Sequence, residues 1–148
     1  MNKVEPVVIL MAEDDPDDRL LSRDALDEAH LVNDLRFVTN GEELMDYLYQ
    51  RAKYEDCTSC PRPGLILLDL NMPLKDGREA LKEIKSDPKL RTIPVVVLTT
   101  SKAEEDILKS YDMGVSGYIT KPVTFDGLIQ VMRTIGKYWL QIVELPPT

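Results

Sequence analysis

The strongest constraint on the fold is a regular alternation of two apolar patterns along the chain. Short runs rich in β-branched residues predict five strands, at Val7–Ala12, Leu35–Val38, Leu65–Leu68, Pro94–Thr99 and Tyr118–Thr120. Between them, apolar residues recur at helical spacing and predict five helices, at Pro16–His30, Gly41–Tyr49, Gly77–Ser86, Glu104–Met113 and Phe125–Val143. Because strands that alternate with helices form βαβ units, we expect an α/β fold: a doubly wound parallel sheet with helices on both faces.

Length and charge narrow the class of protein. The 148 residues suit a single domain, 1–148, with an ordinary core. No apolar run approaches the roughly 20 residues of a membrane span, and the start lacks the pattern of a secretory signal, so the cytoplasm is the expected location. A net charge of −8 disfavours nucleic acid as a partner and suits a cation or a basic protein surface.

The two cysteines, Cys57 and Cys60, lie in the longest predicted connection, Arg51–Gly64. A Cys-x-x-Cys pair occurs in redox-active sites, in half of a zinc site, or as two ordinary thiols. No second pair and no nearby histidine completes four zinc ligands. The prediction is therefore two ordinary thiols in a surface loop, and the role of this loop stays open.

An acidic run, EDDPDD, follows the first predicted strand. Part of it is typical of a helix N-terminus, with Asp15 as the N-cap, Pro16 at the first helical position and Asp18 completing a capping box. This leaves Glu13 and Asp14 unexplained at the strand tip. In an open parallel sheet, ligands bind at the carboxyl ends of the strands, so these two acids are candidate ligand-binding residues.

Three further strand ends carry polar groups to the same edge. Asp69 follows four apolar residues, Thr99 ends the fourth strand and Lys121 follows the fifth. Alone, they would suit a turn residue, a helix cap and a solvated charge. Together with Glu13 and Asp14 they can bind Mg²⁺, accept a phosphoryl group on a carboxylate, and hold its oxygens with an ammonium and a hydroxyl.

At these positions the sequence resembles a bacterial response-regulator receiver domain, over about residues 7–136. The matching segments are the pair Glu13-Asp14 and the stretches LLDLNMPLKDG, PVVVLTTS and GYITKP, which begin at Leu67, Pro94 and Gly117. The resemblance implies a flavodoxin-like five-stranded sheet of order 2-1-3-4-5. It also implies a two-component signalling protein that promotes only its own phosphorylation and dephosphorylation, and no enzyme acting on other substrates.

The resemblance further implies roles for the metal and phosphoryl site. Asp69 accepts the phosphoryl group, and Lys121 pairs with a phosphoryl oxygen. The Mg²⁺ ion is bound directly by Asp14, through water by Glu13, which replaces the more usual Asp, and by the backbone carbonyl of Asn71. Asp69 belongs to this metal site as well.

The resemblance implies two more roles, which concern the signal. Thr99 is the switch hydroxyl that moves to the phosphoryl oxygen, and the rotamer of Tyr118 follows it. The Lys121–Pro122 bond is expected to be cis.

The sequence also bears on the phosphoryl donor. Because His30 is the only histidine and is predicted on the first helix away from the site, a phosphohistidine donor must lie on another chain, a sensor histidine kinase.

A finer resemblance is to the small response regulators of cyanobacterial and other bacterial phytochromes. It rests on the cysteine-containing loop, on the stretch RTIPVVVLTTS and on the ending KYWLQIVELPPT. It implies a kinase that carries a light-sensing module. Residues 137–148 extend past the usual end of a receiver, and Trp139, Leu140 and Val143 on this extension are predicted homodimer contacts. The alternative is a tail that folds back over its own domain.

Two other functions fit parts of the pattern. An aspartyl-nucleophile phosphatase would need a second acid two residues after Asp69, where this chain has Asn71, and a cap domain for its substrate. A phosphorylation-independent interaction module would not need the acceptor, metal, hydroxyl and amine positions, all of which are filled. We therefore expect a phosphorylated signalling protein whose output is protein–protein contact, across the face of the fourth helix, the fifth strand and the fifth helix.

Overall fold

The computed structural model describes residues 7–29, 33–69, 77–99, 115 and 117–137. Its sheet has five strands: β1 (Val7–Ala12), β2 (Asn33–Val38), β3 (Leu65–Asp69), β4 (Val95–Thr99) and β5 (Gly117–Thr120). All neighbouring pairs are parallel, and the order is β2-β1-β3-β4-β5. The predicted doubly wound sheet and its strand order are confirmed.

Four α-helices and one short 3₁₀ helix are described. They are α1 (Pro16–Glu28), α2 (Gly41–Tyr49), the 3₁₀ helix (Ala52–Tyr54), α3 (Gly77–Ser86) and α4 (Phe125–Ile135). The bounds of α2 and α3 agree with the prediction, whereas α1 ends two residues early. The predicted helix Glu104–Met113 and the predicted continuation of α4 to Val143 lie outside the described residues. None of the described helices is long and apolar enough to cross a bilayer.

The core consists of two apolar layers, one on each face of the sheet. Successive residues of a strand point to opposite faces, so the buried strands contribute to both layers. On one face, Leu10 and Leu68 pack with α2 and α3. On the other face, Met11 and Leu67 pack with α1 and α4. This arrangement leaves the carboxyl ends of the strands as a polar edge between the layers.

The N-terminus of α1 is capped as predicted in one respect and differs in another. The Asp15 side chain accepts a hydrogen bond from the backbone N–H of Asp17, and Pro16 occupies the first turn. The predicted capping box is wrong, because the Asp15 N–H donates to the Glu13 carboxylate at 3.3 Å. The Asp18 carboxylate lies 3.7 Å from the Lys121 ammonium.

Two further predictions are wrong. Cys57 and Cys60 form a disulfide and are not ordinary thiols; their Cα atoms are 5.5 Å apart, inside the range that a disulfide requires. The Lys121–Pro122 peptide is trans and not cis. The trans form is the ordinary one before proline, where it is favoured by about 0.5–1 kcal/mol.

Candidate functional site

Three carboxylates meet where β1 and β3 end. The two strands pair so that Ala12 lies opposite Leu68, which places the following residues, Glu13 and Asp69, side by side. Both are buried, with 1% and 3% of their surface exposed, whereas Asp14 is exposed. One oxygen from each of Glu13, Asp14 and Asp69 lies within 4.8 Å of the others. The sheet therefore assembles the acidic cluster that the strand ends predicted.

Lys121 joins two of these carboxylates from the end of β5. Its Nζ donates hydrogen bonds to Glu13 Oε1 at 2.8 Å and to Asp69 Oδ2 at 2.9 Å. The lysine is a quarter exposed, so the ion pairs are partly desolvated and stronger than surface pairs. The predicted inward position of this ammonium, opposite the carboxylates, is confirmed.

The backbone around Glu13 is fixed by contacts with neighbouring elements. Its N–H donates to the carbonyl of Val38 at 2.9 Å, which extends the pairing of β1 with β2 beyond the strand. Its carbonyl accepts a hydrogen bond from Arg19 Nη1 at 2.9 Å, so α1 is tied to the same residue. These contacts fix the backbone from which the Glu13 side chain reaches Lys121.

Burial changes the pKa of Glu13, and ion pairs change that of Lys121. Desolvation raises the pKa of Glu13 from 4.5 to about 7, although the hydrogen bond from Lys121 opposes the shift and the nearby Asp69 adds to it. Burial alone would lower the pKa of Lys121, but hydrogen bonds to Glu13 and Asp69 outweigh it and raise the pKa above its ordinary value. Lys121 is therefore a fixed cation, while Glu13 changes its charge near neutral pH.

The donor set matches a hard divalent cation. Carboxylate oxygens are the ligands that Mg²⁺ and Mn²⁺ prefer, and among the residues that the structure describes no sulfur or imidazole group joins this cluster. Glu13, Asp14 and Asp69 carry three negative charges when ionised, and Lys121 supplies one positive charge. The resulting excess of negative charge is what a bound divalent cation would compensate.

Other predicted site residues are placed less completely. Thr99 ends β4 and lies opposite Thr120 of β5 in the strand register, but its side chain lies outside what the structure describes. Tyr118 is partly buried against the core layer that contains α2 and α3. Asn71 and the three predicted interface residues, Trp139, Leu140 and Val143, also lie outside the described residues.

Two contacts near the site were not predicted. Asp18 approaches Lys121 to 3.7 Å, and Arg19 binds the carbonyl of Glu13. Both residues are on the first turn of α1, whose N-terminus faces the same edge as the strand tips. The signal in the sequence was the short spacing from Glu13, which brings the first turn of the following helix back to the strand end.

Comparison with known proteins identifies a family. The model of the response regulator receiver domain matches residues 9–133. The response regulator Rcp1 of Synechocystis sp. is 44% identical over 141 residues, which are 95% of this chain and 94% of Rcp1. A probable methanogenesis regulatory protein, FilR2 of Methanothrix harundinacea, is 36% identical over 92% of this chain and 85% of its own length.

Solved structures agree with this result. The crystal structure of the phosphorylated cyanobacterial phytochrome response regulator RcpA shares 45% identity and a TM-score of 0.82, over 96% of this chain and 99% of that one. The Mn²⁺-bound form of Rcp1 gives 44% identity and a TM-score of 0.81, over 96% and 100% of the two chains. The predicted family is confirmed: this chain belongs to the response regulator receiver domains and is homologous to phytochrome response regulators.

Proposed function

We propose that this chain receives a phosphoryl group on Asp69 from a phosphohistidine of a sensor histidine kinase and signals through phosphorylation-dependent protein contacts. The observation that carries the proposal is the position of Asp69. Its carboxylate is buried at the end of β3, 2.9 Å from the Lys121 ammonium and within 4.8 Å of two further carboxylates. Membership of the receiver family supports the same chemistry.

In the transfer, a carboxylate oxygen of Asp69 forms a bond to phosphorus while the bond from phosphorus to the donor imidazole breaks. The bonding electron pair leaves with the imidazole nitrogen. Lys121 is already hydrogen-bonded to Asp69 Oδ2 and can turn its ammonium to a phosphoryl oxygen without leaving the site. Most of the catalysis then comes from positioning and charge, as is general for phosphoryl transfer.

Receiver domains bind a divalent metal, and we propose Mg²⁺ for this chain. Glu13, Asp14 and Asp69 would hold it with carboxylate oxygens, and we keep the prediction that the carbonyl of Asn71 contributes. The ion supplies neutralisation of the negative charge on the phosphoryl oxygens. The Mn²⁺-bound form of Rcp1, which is 44% identical to this chain, supports the binding of a divalent cation.

We propose that the signal leaves the site through Thr99 and Tyr118. The Thr99 hydroxyl would move to the phosphoryl oxygen, and the Tyr118 ring would follow, changing a surface that involves the predicted helix Glu104–Met113, β5 and α4. Tyr118 pairs in register with Val97, two residues before Thr99, which supports a coupling between the two strands. Such a two-state surface is a common form of phosphorylation-dependent switching.

Peptide mapping can test whether Asp69 is the residue that accepts the phosphoryl group. The protein is incubated with acetyl phosphate and Mg²⁺, digested at once, and analysed by tandem mass spectrometry. We expect a single phosphorylated peptide, which contains β3, with the added mass on Asp69. A label on Glu13 or Asp14 would contradict the assignment, because these carboxylates lie close enough to compete.

We propose a phytochrome as the donor kinase, because the similar proteins RcpA and Rcp1 include a named phytochrome response regulator. The measurement is phosphotransfer from a phosphorylated phytochrome kinase and from an unrelated sensor kinase at equal concentration. We expect faster transfer from the phytochrome kinase. Equal transfer rates would contradict the proposal that the donor is a phytochrome, but would not contradict the proposal that Asp69 accepts a phosphoryl group.

We also propose a homodimer with contacts at Trp139, Leu140 and Val143, a cytoplasmic location, and no binding to nucleic acid. Large apolar side chains on a terminal extension are suited to an interface, and the net charge of −8 opposes nucleic acid. Sedimentation velocity should show a dimer for the wild type and a monomer for Trp139→Ala. Phosphorylation by acetyl phosphate should be unchanged in that variant. A dimer of equal strength in both proteins would contradict this interface.

A further inference from the structure

The disulfide Cys57–Cys60 takes no part in the chemistry proposed above. It lies in the connection between the 3₁₀ helix and β3, on the side of the sheet where the strands begin. Asp69 is at the other end of β3, roughly 13 Å from Leu65 along the strand at the usual rise per residue. Any role of the disulfide is therefore separate from phosphoryl acceptance.

We propose that Cys57 and Cys60 are a site of reversible thiol–disulfide exchange, reduced by a dithiol and reoxidised by a disulfide oxidant. The bond joins residues only three apart, and short closed loops constrain the unfolded chain least. We therefore expect this disulfide to add little to the stability of the fold. In the cytoplasm proposed above, thiols are kept reduced, and a disulfide there is expected to be transient.

The two cysteines differ in exposure, and we infer the order of the exchange from this difference. Cys60 is 7% exposed and is part of the core layer with α2 and α3, whereas Cys57 is half-buried at the edge of that layer. Cys57 Sγ also lies 3.7 Å from the Ser59 hydroxyl, a polar neighbour at the surface. Cys57 is thus the sulfur that an attacking thiolate can reach, and Cys60 is the leaving sulfur.

The exchange balances as follows. A thiolate of the reductant bonds to Cys57 Sγ, the bond between the cysteines breaks, and its electron pair goes to Cys60 Sγ, which takes a proton from water. The second thiol of the reductant attacks the mixed disulfide and releases the Cys57 thiolate, which is protonated in turn. The protein disulfide has gained two electrons and two protons, and the reductant leaves as a disulfide.

The loop around the disulfide is fastened to two elements by its carbonyl groups. Gln50 Nε2 donates to the Cys60 carbonyl at 3.2 Å, and the Tyr47 hydroxyl donates to the Pro61 carbonyl at 2.9 Å. The Arg36 guanidinium donates to the Ser59 carbonyl. Reduction removes the covalent closure and leaves hydrogen bonds to hold the turn, these three among them, so the loop should open more often.

Backbone strain at the start of the loop favours such opening. Gln50 and Ala52 both have positive φ angles, of 53° and 55°, in the left-handed region that side chains disfavour. Gln50 is the C-cap of α2, and its side chain also donates to the Cys60 carbonyl. Because this hydrogen bond links the strained segment to the disulfide turn, reduction should expose the peptide bonds after Arg51 and Lys53.

The first test follows reduction of the folded, full-length protein by dithiothreitol, with thiols trapped by a maleimide and counted by intact mass. We expect no labelled thiol before reduction and two afterwards, at a rate that rises in proportion to dithiothreitol concentration. Oxidised glutathione should restore the unlabelled form. A rate that levels off at the rate of global unfolding would overturn the proposal, because it marks a disulfide reached only in the unfolded chain. Two thiols that oxidised glutathione never joins would also overturn it.

Single variants test the order of the exchange. In Cys60→Ser the remaining Cys57 should react with maleimide and form a mixed disulfide with glutathione many times faster than the remaining Cys60 does in Cys57→Ser. Equal rates would contradict the assignment of Cys57 as the attacked sulfur. Circular dichroism checks that both variants are folded.

The consequence for the loop is measured by brief trypsin digestion. Reduction should accelerate cleavage after Arg51 and Lys53 several-fold in the wild type and leave the double variant, Cys57→Ser with Cys60→Ser, unaffected. Asp69→Asn should respond to reduction as the wild type does, so this result is independent of phosphoryl acceptance. Unchanged cleavage of the wild type would remove the proposed effect on the loop.

Discussion

At the scale of single residues, Glu13 is a buried carboxyl group whose charge changes near neutral pH. It is buried beside Asp69, and its pKa is raised to about 7 mainly because burial disfavours the carboxylate. A proton or a cation can therefore satisfy the same position near neutral pH. The free energy of unfolding should therefore depend on pH when no metal is bound, and added Mg²⁺ should change that dependence.

The first prediction concerns this linkage. Between pH 4.5 and 7 the unfolded state loses the Glu13 proton first, so it binds fewer protons than the folded state, and stability falls as pH rises. In the presence of a chelator, the free energy of unfolding from urea denaturation should drop between pH 5 and pH 8 by on the order of 1–3 kcal/mol. Added Mg²⁺ should remove most of this drop.

The matched variants are Glu13→Gln, which should flatten the profile, and Glu28→Gln on the exposed face of α1, which should keep it. Lys121 does not disturb this window, because its pKa is raised above its ordinary value and its favourable contribution is lost only at higher pH. A profile that is the same in wild type and Glu13→Gln would contradict the assignment.

The second prediction concerns Lys121. Replacing it with Met leaves Glu13 and Asp69 buried without the ammonium that now donates to both. Unfolding in chelator at pH 7 should become easier by about 1–3 kcal/mol, the cost of leaving buried charges unpaired. The control is Lys82→Met, an exposed residue of α3. If both variants lose the same amount, the ion pairs at the site do not stabilise the fold.

At the scale of elements, Glu43 joins α2 to the segments on either side of it. Its carboxylate accepts hydrogen bonds from the N–H and hydroxyl of Thr39 at 2.6 and 3.1 Å and from the Tyr54 hydroxyl at 3.1 Å. It also pairs with Lys53. The Tyr54 ring packs on Tyr47 with ring centroids 5.1 Å apart. One carboxylate thus fastens both the turn before α2 and the 3₁₀ helix after it.

The third prediction is that Glu43→Ala lowers the free energy of unfolding at pH 7 by about 1–2 kcal/mol, because it removes a helix-terminal hydrogen-bond acceptor and a partner of Tyr54. The neighbouring Glu42→Ala, an exposed residue, is the control and should cost much less. Burial alone would raise the pKa of Glu43, but its hydrogen bonds outweigh it and lower the pKa. The difference between the variants should therefore shrink as pH falls below about 4.5. A difference that persists unchanged at low pH would contradict the role of the carboxylate charge.

How far the elements could be predicted depends on how local their causes are. The N-cap at Asp15 and the bounds of α2 and α3 follow from neighbouring residues and were predicted correctly. The start of β2 was missed because Asn33 and Asp34 are polar and become strand only by pairing with Val7 and Val8. The disulfide was missed because its formation depends on the fold of the loop and not on the spacing alone.

In the site, too, some features could be predicted from the sequence and others depend on the tertiary structure. Strand-end positions predicted that Glu13, Asp69 and Lys121 would meet, because the carboxyl ends of parallel strands share one edge. Glu13 and Lys121 meet across a separation of 108 residues. The short spacing from Glu13 indicates that the first turn of α1 returns to the strand end. The degree of burial and the exact partners of Asp18 and Arg19 could not be predicted, since they depend on the angle at which α1 leaves β1.

At the scale of the whole molecule, the two sites lie at opposite edges of one sheet. The acidic cluster with Lys121 is where β1, β3 and β5 end, and the disulfide loop is where β3 begins. The apolar layers on both faces separate these edges. A fold of this kind can carry a phosphorylation signal at one edge and thiol chemistry at the other without either site using the other's residues.

The most direct test of the central claim is the intact mass of the protein after incubation with acetyl phosphate. The samples are wild type and Asp69→Asn, each with Mg²⁺ and with a chelator, and Asp24→Asn on the exposed face of α1 is the matched control. We predict the addition of one phosphoryl group to the wild type and to Asp24→Asn, only with Mg²⁺, and none to Asp69→Asn. Addition of a phosphoryl group to Asp69→Asn, or none to the wild type under any condition, would contradict the assignment of Asp69 as the acceptor.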